Sequence, residues 1–123
     1  MIGDSLITVF LQKAMDGTWQ RQKVISNNIA NHETPGYKAQ KVSFEKALKN
    51  EINKYTKGSD GVRNVKIRVS TDYSVSERMD GNNVNIDVEN INMVKTQIQY
   101  QYLIRGISDQ FSRLKYAISE GRR

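Results

Sequence analysis

A chain of 123 residues, 37% of them hydrophobic and 26% charged, makes one domain at most and has a modest core to bury. It has no cysteine, which excludes disulfides, thiolate metal sites and cysteine nucleophiles together. Nineteen basic residues against thirteen acidic ones leave a net charge of +6, but they run from Lys13 to Arg123 without forming a block, which suits a solvated basic surface better than the concentrated patch of a nucleic-acid binder.

The opening residues, Met1-Ile2-Gly3-Asp4-Ser5-Leu6, have no basic n-region and no long apolar run. A cleavable secretory leader is therefore not expected, and no window approaches the ~18 apolar residues of a membrane span. Residues 5–31 read as one helix, because Ile7, Leu11, Ala14 or Met15, Thr18, Gln22, Ile25 and Ile29 recur at spacings of three and four. Asp4 or Ser5 can cap its start, and Gly17 weakens its middle by ~1 kcal/mol relative to alanine. The helix runs into three amides, Asn27, Asn28 and Asn31, of which Asn31 is the expected left-handed terminator. Thr34 is pushed toward extended geometry by Pro35, the only proline, and Pro35-Gly36 fits the central pair of a type II turn.

Beyond the turn, Tyr37 to Val42 is expected to be extended. Ser43 then caps a short helix with Phe44, Leu48, Ile52 and Tyr55 on one face. Lys57 to Gly61 reads as a loop. Val65, Ile67 and Val69 alternate with polar residues, as do Val84, Ile86 and Val88, and the two runs are expected to pair as a small hairpin. Asp80-Gly81-Asn82-Asn83 reads as a turn. Residues 88–120 form a second long helix, capped by Asp87, with Ile91, Val94, Ile98, Tyr102, Ile107, Phe111, Leu114 and Ile118 on its apolar side. The two helices would be ~40 and ~50 Å long.

The expected fold class is therefore mainly α. Two long terminal helices pair as an antiparallel coiled coil, joined by an irregular middle with a short helix and a small hairpin. Its seam would be Leu11, Ile25 and Ile29 against Ile91, Val94, Ile98, Ile107, Phe111, Leu114 and Ile118. The divisions are 1–36 for the first helix and its turn, 37–86 for the middle and 87–123 for the last helix, all within one structural domain.

Catalytic constellations are not evident. His32, the only histidine, lies in a turn beside Glu33 with no nucleophile in view, and no second histidine or cysteine completes a zinc set. Asp80-Gly81-Asn82 falls short of a calcium loop, since Val84 and Asn85 stand where a third oxygen ligand and a glycine belong. No catalytic residue, metal or cofactor is expected, nor is a small-molecule substrate or a nucleic-acid partner. The amide cluster stands apart. It reads either as local capping exposed to solvent or as a subunit contact bonding a neighbour's backbone. A rival function class is a basic helical module that docks an acidic protein or nucleic acid, and it would bind in a salt-sensitive way.

The stretch Ser26-Asn27-Asn28-Ile29-Ala30-Asn31-His32-Glu33-Thr34-Pro35-Gly36-Tyr37-Lys38-Ala39 resembles the signature of the bacterial flagellar rod and hook proteins, which reads A/N-N-I-A-N, two variable residues, then T-P-G-Y/F-K/R. Arg21 to Ile25 upstream also fits. His32 stands where a small residue is common, and Lys95 and Lys115 make the last helix more basic than that family's usual one. Hook and distal-rod members carry large β insertions for which 123 residues leave no room. Asp80-Gly81-Asn82-Asn83-Val84-Asn85-Ile86-Asp87-Val88-Glu89 resembles the D-G-N-N-V-N/D-hydrophobic-D-x-E run of the short members that form the proximal rod.

The resemblance implies a structural subunit of the basal body that assembles with itself and other rod proteins into a tube. That tube transmits torque and carries export, lies outside the cytoplasmic membrane in the periplasm, and abuts a membrane-ring adaptor. Its subunits pass through the flagellar type III export apparatus without a cleaved signal. By the same resemblance Asn27, Asn28, Ile29, Asn31, Thr34, Pro35, Gly36 and Tyr37 are the expected subunit interface, with residues 37–55 carried onto a neighbour. Leu6, Ile7, Phe10 and Leu11, an apolar cluster near the start, are an export-signal candidate as well as part of the helix seam.

Overall fold

The computed structural model describes the backbone of residues 2–54 and 58–121, and the side chains of 6–54 and 60–121. Six elements follow one another: α1 (Ile2–Ala30), β1 (Gln40–Ser43), α2 (Glu45–Ile52), α3 (Gly58–Arg63), β2 (Arg68–Thr71) and α4 (Ile86–Gly121). The chain is mainly helical, as its periodicity predicts. The long helices α1 and α4 lie antiparallel, since Leu11 meets Gly106 near one end of the pair and Asn28 meets Glu89 near the other.

The core does not lie between the two long helices. After the turn the chain runs back along α1, and Val9, Ala14 and Val24 of α1 pack with Val42 of β1, Phe44 and Leu48 at α2, Val62 of α3 and Val65. Residues 37–54 thus contribute Val42, Phe44 and Leu48 to their own subunit's interior. The fold gets this close because Gly17 leaves room. A Cβ there would sit 2.5 Å from the Phe44 ring, so the residue that weakens the helix is the one that admits its largest core side chain.

Strands β1 and β2 form an antiparallel pair with Val42 opposite Val69 and Gln40 opposite Thr71. The expected hairpin partner, Val84 to Val88, is not a strand. Val84 is buried in a loop, and helix α4 starts at Ile86. Three residues of alternation cannot distinguish a strand from the entry to a helix, and the capping residue decides. That residue is Asn85, whose Oδ1 accepts the N–H groups of Asp87 and Val88, so Asn85 caps α4 in place of the expected Asp87.

Gly58 to Arg63 is helical where a loop was expected, and Val62 at its centre is fully buried. Tyr55, expected on the apolar face of α2, lies outside the described residues, as does Lys57. Phe44 occupies the N-cap position of α2 without a side-chain cap, where Ser43 was expected. Arg21 of α1 compensates from outside the helix. It pairs with Glu45, donates to the Val42 carbonyl at 2.8 Å and lies 5.0 Å from the Phe44 ring centroid.

The expected seam is only half present. Ile25 is buried and Leu11 and Ile29 are half-buried, but of the α4 residues only Ile107 is half-buried. Ile91, Val94, Ile98, Phe111, Leu114 and Ile118 are all at least 50% exposed. The face of α4 turned to α1 instead carries Glu89, Asn92, Thr96, Gln99, Leu103 and Gly106. Thr96 and, on α1, Thr18 are buried with their hydroxyls bonded back to their own helices at 2.7 and 2.8 Å, so the threonines there are satisfied without a partner across the interface. An apolar count along α4 picks its free side, because the side set against α1 is selected by small size and hydrogen bonding.

Gly17→Ala is expected to destabilise the chain by about 1–2 kcal/mol in a urea titration, the steric overlap outweighing alanine's helical advantage. Arg21→Gln tests the second device. Burial works to raise the Glu45 pKa, but the Arg21 hydrogen bond, the N–H groups at the helix start and the Arg21 charge outweigh it and hold that carboxyl below its ordinary value. A depressed folded pKa gives stability at neutral pH that is lost as the pH falls through it. The variant should lose on the order of 0.5 kcal/mol at pH 7 after solvent screening, and the gap from the parent should close in acid.

Candidate functional site

The densest polar structure in the molecule lies where the end of α1 meets the approach to α4. Ser26 to Ala39 and Asp80 to Glu89 are separated by some forty residues of sequence, yet each supplies the other's hydrogen-bond partners. The opening turn forms as its residues dictate. Tyr37 N–H donates to the Thr34 carbonyl at 3.2 Å and Gly36 has φ of +73°, the signature of a type II turn on Pro35-Gly36. Gly81, at φ +79°, faces it, and a Cβ added to Gly81 would meet the Gly36 Cα at 3.7 Å. Gly36 N–H donates to the Asp80 carbonyl at 2.7 Å, so two left-handed glycines hold two turns back to back.

Asn82 clasps this pair. It is fully buried, and its Nδ2 donates to the carbonyls of Asn31 and Thr34 at 2.7 and 2.9 Å while its Oδ1 accepts Val84 N–H at 2.8 Å. Asn83 does the same one residue on. Its Oδ1 accepts Ala39 N–H and its Nδ2 donates to the Asp72 carbonyl, each at 2.7 Å. The side-chain amide stands in for a peptide group where the β1–β2 ladder ends. Lys38 Nζ donates to the Gly81 carbonyl at 2.7 Å.

Asn28 is the hub. It is fully buried, and all four of its amide positions are filled. Nδ2 donates to the Gln40 carbonyl at 2.8 Å and to Glu89 Oε2 at 3.1 Å. Oδ1 accepts Gln40 N–H and the Tyr37 hydroxyl, both at 3.0 Å. One side chain therefore links α1, the outer edge of β1, the residue after the turn and the first turn of α4. Asn27 Nδ2 donates to the Tyr37 hydroxyl at 3.1 Å. Burial, opposed by that bond and aided by the Glu89 charge, raises the Tyr37 pKa above its ordinary value, so the phenol stays protonated and able to donate.

The expected interface residues fall into two groups. Asn28 is buried, Ile29, Asn31 and Tyr37 are half-buried, and Asn27, Thr34, Pro35 and Gly36 are exposed. The Asn28 amide bonds to Glu89 of the second motif, whereas the Asn27 and Asn31 side chains bond within the first, to Tyr37, Thr34 and each other. Asn31 is not left-handed, since among the described residues only Gly36 and Gly81 have positive φ. The helix instead tightens into short-range bonds, His32 N–H to Ile29 and Thr34 N–H to Asn31. Sequence reasoning missed the roles of Arg21, Gln40, Asn82 and Asn83. The signal was the second amide cluster, read only as a turn. Of the export-signal candidates, Ile7 is exposed, while Leu6 and Phe10 pack against the core cluster and Leu11 against Gly106. Among the described residues no three His, Asp or Glu side chains converge as a metal set, and no helix is long and apolar enough to cross a membrane.

A family model described as flagella basal body rod protein matches residues 10–38, the half of this junction that ends α1. The flagellar basal body rod protein FlgB of Bacillus subtilis strain 168 is 35% identical over 119 residues, covering 91% of this chain and 92% of its own length. This chain belongs to the FlgB family of flagellar basal body rod proteins. The FlgB proteins of Proteus mirabilis strain HI4320, 30% identical over 127 residues, and of Borreliella burgdorferi strain B31, 37% identical over 112, cover 91% and 76% of the chain and 93% and 82% of themselves. The family is a structural one. The T-P-G turn and amide run that mark it are, in this member, one side of an intramolecular clasp.

Asn82→Ala removes three hydrogen bonds, leaving Val84 N–H without that partner while the Asn31 and Thr34 carbonyls keep one backbone donor each, and is expected to cost about 2 kcal/mol in thermal or urea unfolding. Asn28→Asp removes the donor to Gln40 and sets a second carboxylate against Glu89. Its deficit against the parent should be largest at neutral pH and shrink in acid, where the repulsion between two adjacent carboxylates is relieved.

Proposed function

We propose that the chain is a non-catalytic structural subunit of the proximal rod of the flagellar basal body. It assembles there with copies of itself and with other rod proteins into the tube that transmits torque and carries export. Family membership supports the rod role, and one structural observation carries the assembly role. Helix α4 leaves Val88, Ile91, Val94, Ile98, Tyr102, Phe111, Leu114 and Ile118 exposed along most of its length. A run of this length on one element marks an interaction surface, since apolar area contributes roughly 25 cal/mol per Å² wherever it is covered.

In this reading the exposed rim of the clasp, Asn27, Thr34, Pro35 and Gly36, is held rigid for contact with neighbours, including the membrane-ring adaptor. The subunit works outside the cytoplasmic membrane, in the periplasm, after passage through the flagellar export apparatus without a cleaved signal. Leu6, Ile7, Phe10 and Leu11 would be readable as an export signal before folding, because three of the four are packed afterwards.

Imaging basal bodies from cells that lack the protein tests the rod role: the rod should be missing above the membrane ring, and an intact rod would refute the assignment. Leu6→Ser with Phe10→Ser separates export from assembly. Secretion lost in a strain whose other rod proteins are exported normally supports the signal, whereas normal secretion with failed assembly assigns the cluster to the fold alone.

A further inference from the structure

The small sheet has one edge closed and one open. Asp72 N–H donates to the Ala39 carbonyl at 2.8 Å, so Asp72, Ser70 and Arg68 turn their backbone groups toward β1, while Val69 and Thr71 turn theirs away. The same alternation on β1 points Gln40 and Val42 toward α1, where Asn28 fills both groups of Gln40 and Arg21 takes the Val42 carbonyl. Beyond Thr71 the strand geometry of β2 continues. Asn83 Nδ2 reaches the carbonyls of both Asp72 and Ser74, two residues apart on one side of the chain, at 2.7 and 3.3 Å. Among the described residues no hydrogen bond closes the outward N–H and C=O groups of Val69, Thr71 and Tyr73.

The side chains along this edge alternate from Val65 to Val75. Odd positions carry Val65, Ile67, Val69, Thr71, Tyr73 and Val75, and even positions carry only charged or hydroxyl side chains. Val65 is in the core and Ile67 packs against it, but Val69 is 44%, Tyr73 80% and Val75 95% exposed. An edge that combines open backbone groups with bare apolar side chains is a template for another strand. The pattern also reads nearly the same in both directions about Thr71. Turned end for end, it sets Ile67 opposite Val75, Val69 opposite Tyr73 and Thr71 opposite Thr71. On the other face Ser70 meets Asp72 and Arg68 meets Ser74, with the Asp72 carboxylate diagonally within reach of Arg68.

We infer that the occupant of this edge is a second copy of the chain. Two copies join their β2 edges antiparallel about a two-fold axis at Thr71, making a four-stranded sheet in the order β1-β2-β2-β1. The outward groups make Thr71 with Thr71, and Val69 with Tyr73, the hydrogen-bonded pairs. A two-stranded sheet is marginal in water, and four strands with an apolar face are not. The contact uses the same surface on both partners and closes at two. It sets the copies pointing opposite ways, whereas a tube grown by head-to-tail repetition keeps every copy pointing one way. On the rod reading above, the pair is therefore a form of the free subunit that parts before a copy joins the tube; the pairing itself stands without that reading.

The chain has no cysteine, so single cysteines report the axis directly. Purified Thr71→Cys, mildly oxidised, should give a disulfide dimer. Ser74→Cys should not pair with itself, because residue 74 lies about 20 Å along the strands from its copy, yet mixed with Arg68→Cys it should give the unlike pair. The mixed pair decides the matter if Thr71→Cys does not fold. Tyr73→Pro removes one outward N–H and one apolar pair from each half and leaves the β1–β2 ladder intact. Sedimentation equilibrium should show its dimerisation weakened on the order of 100-fold. Like pairs at 74 as abundant as those at 71, a parent chain that stays monomeric at its solubility limit, or Tyr73→Pro dimerising as the parent does would each overturn the inference. Rods isolated from motile cells carrying Thr71→Cys should show no 71-to-71 pair. Its presence there would overturn the free-subunit role and leave the pairing, whereas failure of the chain to enter any rod would sink the rod reading alone.

Discussion

The fold depends on a buried amide. Asn28 sits mid-junction with no exposure and four filled hydrogen-bond positions, and the bonds reach three separate places, Gln40 twice, Tyr37 and Glu89. A buried amide with even one unmet position is costly, and a fully met one specifies its surroundings. Here it dictates that β1 presents Gln40, that the turn delivers Tyr37, and that α4 begins with Glu89 facing α1. The apolar core along α1 could tolerate some sliding of its parts, but this set of directional bonds could not. The junction therefore fixes the register of the two long helices, which their small and polar contact face does little to define.

That division explains why so much apolar surface stays outside. In an autonomous helical pair, the apolar stripe of each helix is used on the other. This chain buries the α1 stripe under β1, α2 and α3 and sets α4 against α1 by Thr96, Leu103, Gly106 and their polar neighbours. Holding α4 through directional bonds at one end leaves its apolar residues free for other chains. A subunit that used them internally would be a more self-sufficient monomer and a worse building block.

Much of this was legible in the sequence, and the failures have physical causes. The lengths of α1 and α4 follow from their periodicity, and the T-P-G turn from the conformational limits of proline and glycine. The cap at Asn85, the helix around Val62 and the pairing of β1 with β2 did not follow, because short segments are decided by tertiary partners. The amides of the first motif stand out in the sequence, but the intramolecular partner of Asn28, Glu89, does not. A single sequence shows that Asn28 and Asn82 sit in amide-rich runs; that the runs meet is a fact of the fold. The seam failed for a different reason. Periodicity finds apolar faces, and it does not say whether the chain or its neighbour covers them.

The placement of the clasp also bears on how the chain gains and loses its defined shape. Its bonds join residues far apart in sequence, Asn28 to Glu89, Asn82 to Asn31 and Lys38 to Gly81. Contacts of that separation form only after the ends of a long loop have met, and they are lost together when either end is pulled away. The long helices have mostly local hydrogen bonds and can form and melt piecemeal. Register is thus stored in the contacts that appear last and vanish first. A chain drawn from one end loses its defined shape early, and it regains a unique one only when both motifs are present. The interaction that fixes the geometry of the folded subunit is, by the same topology, the one most readily lost when the chain is drawn from an end.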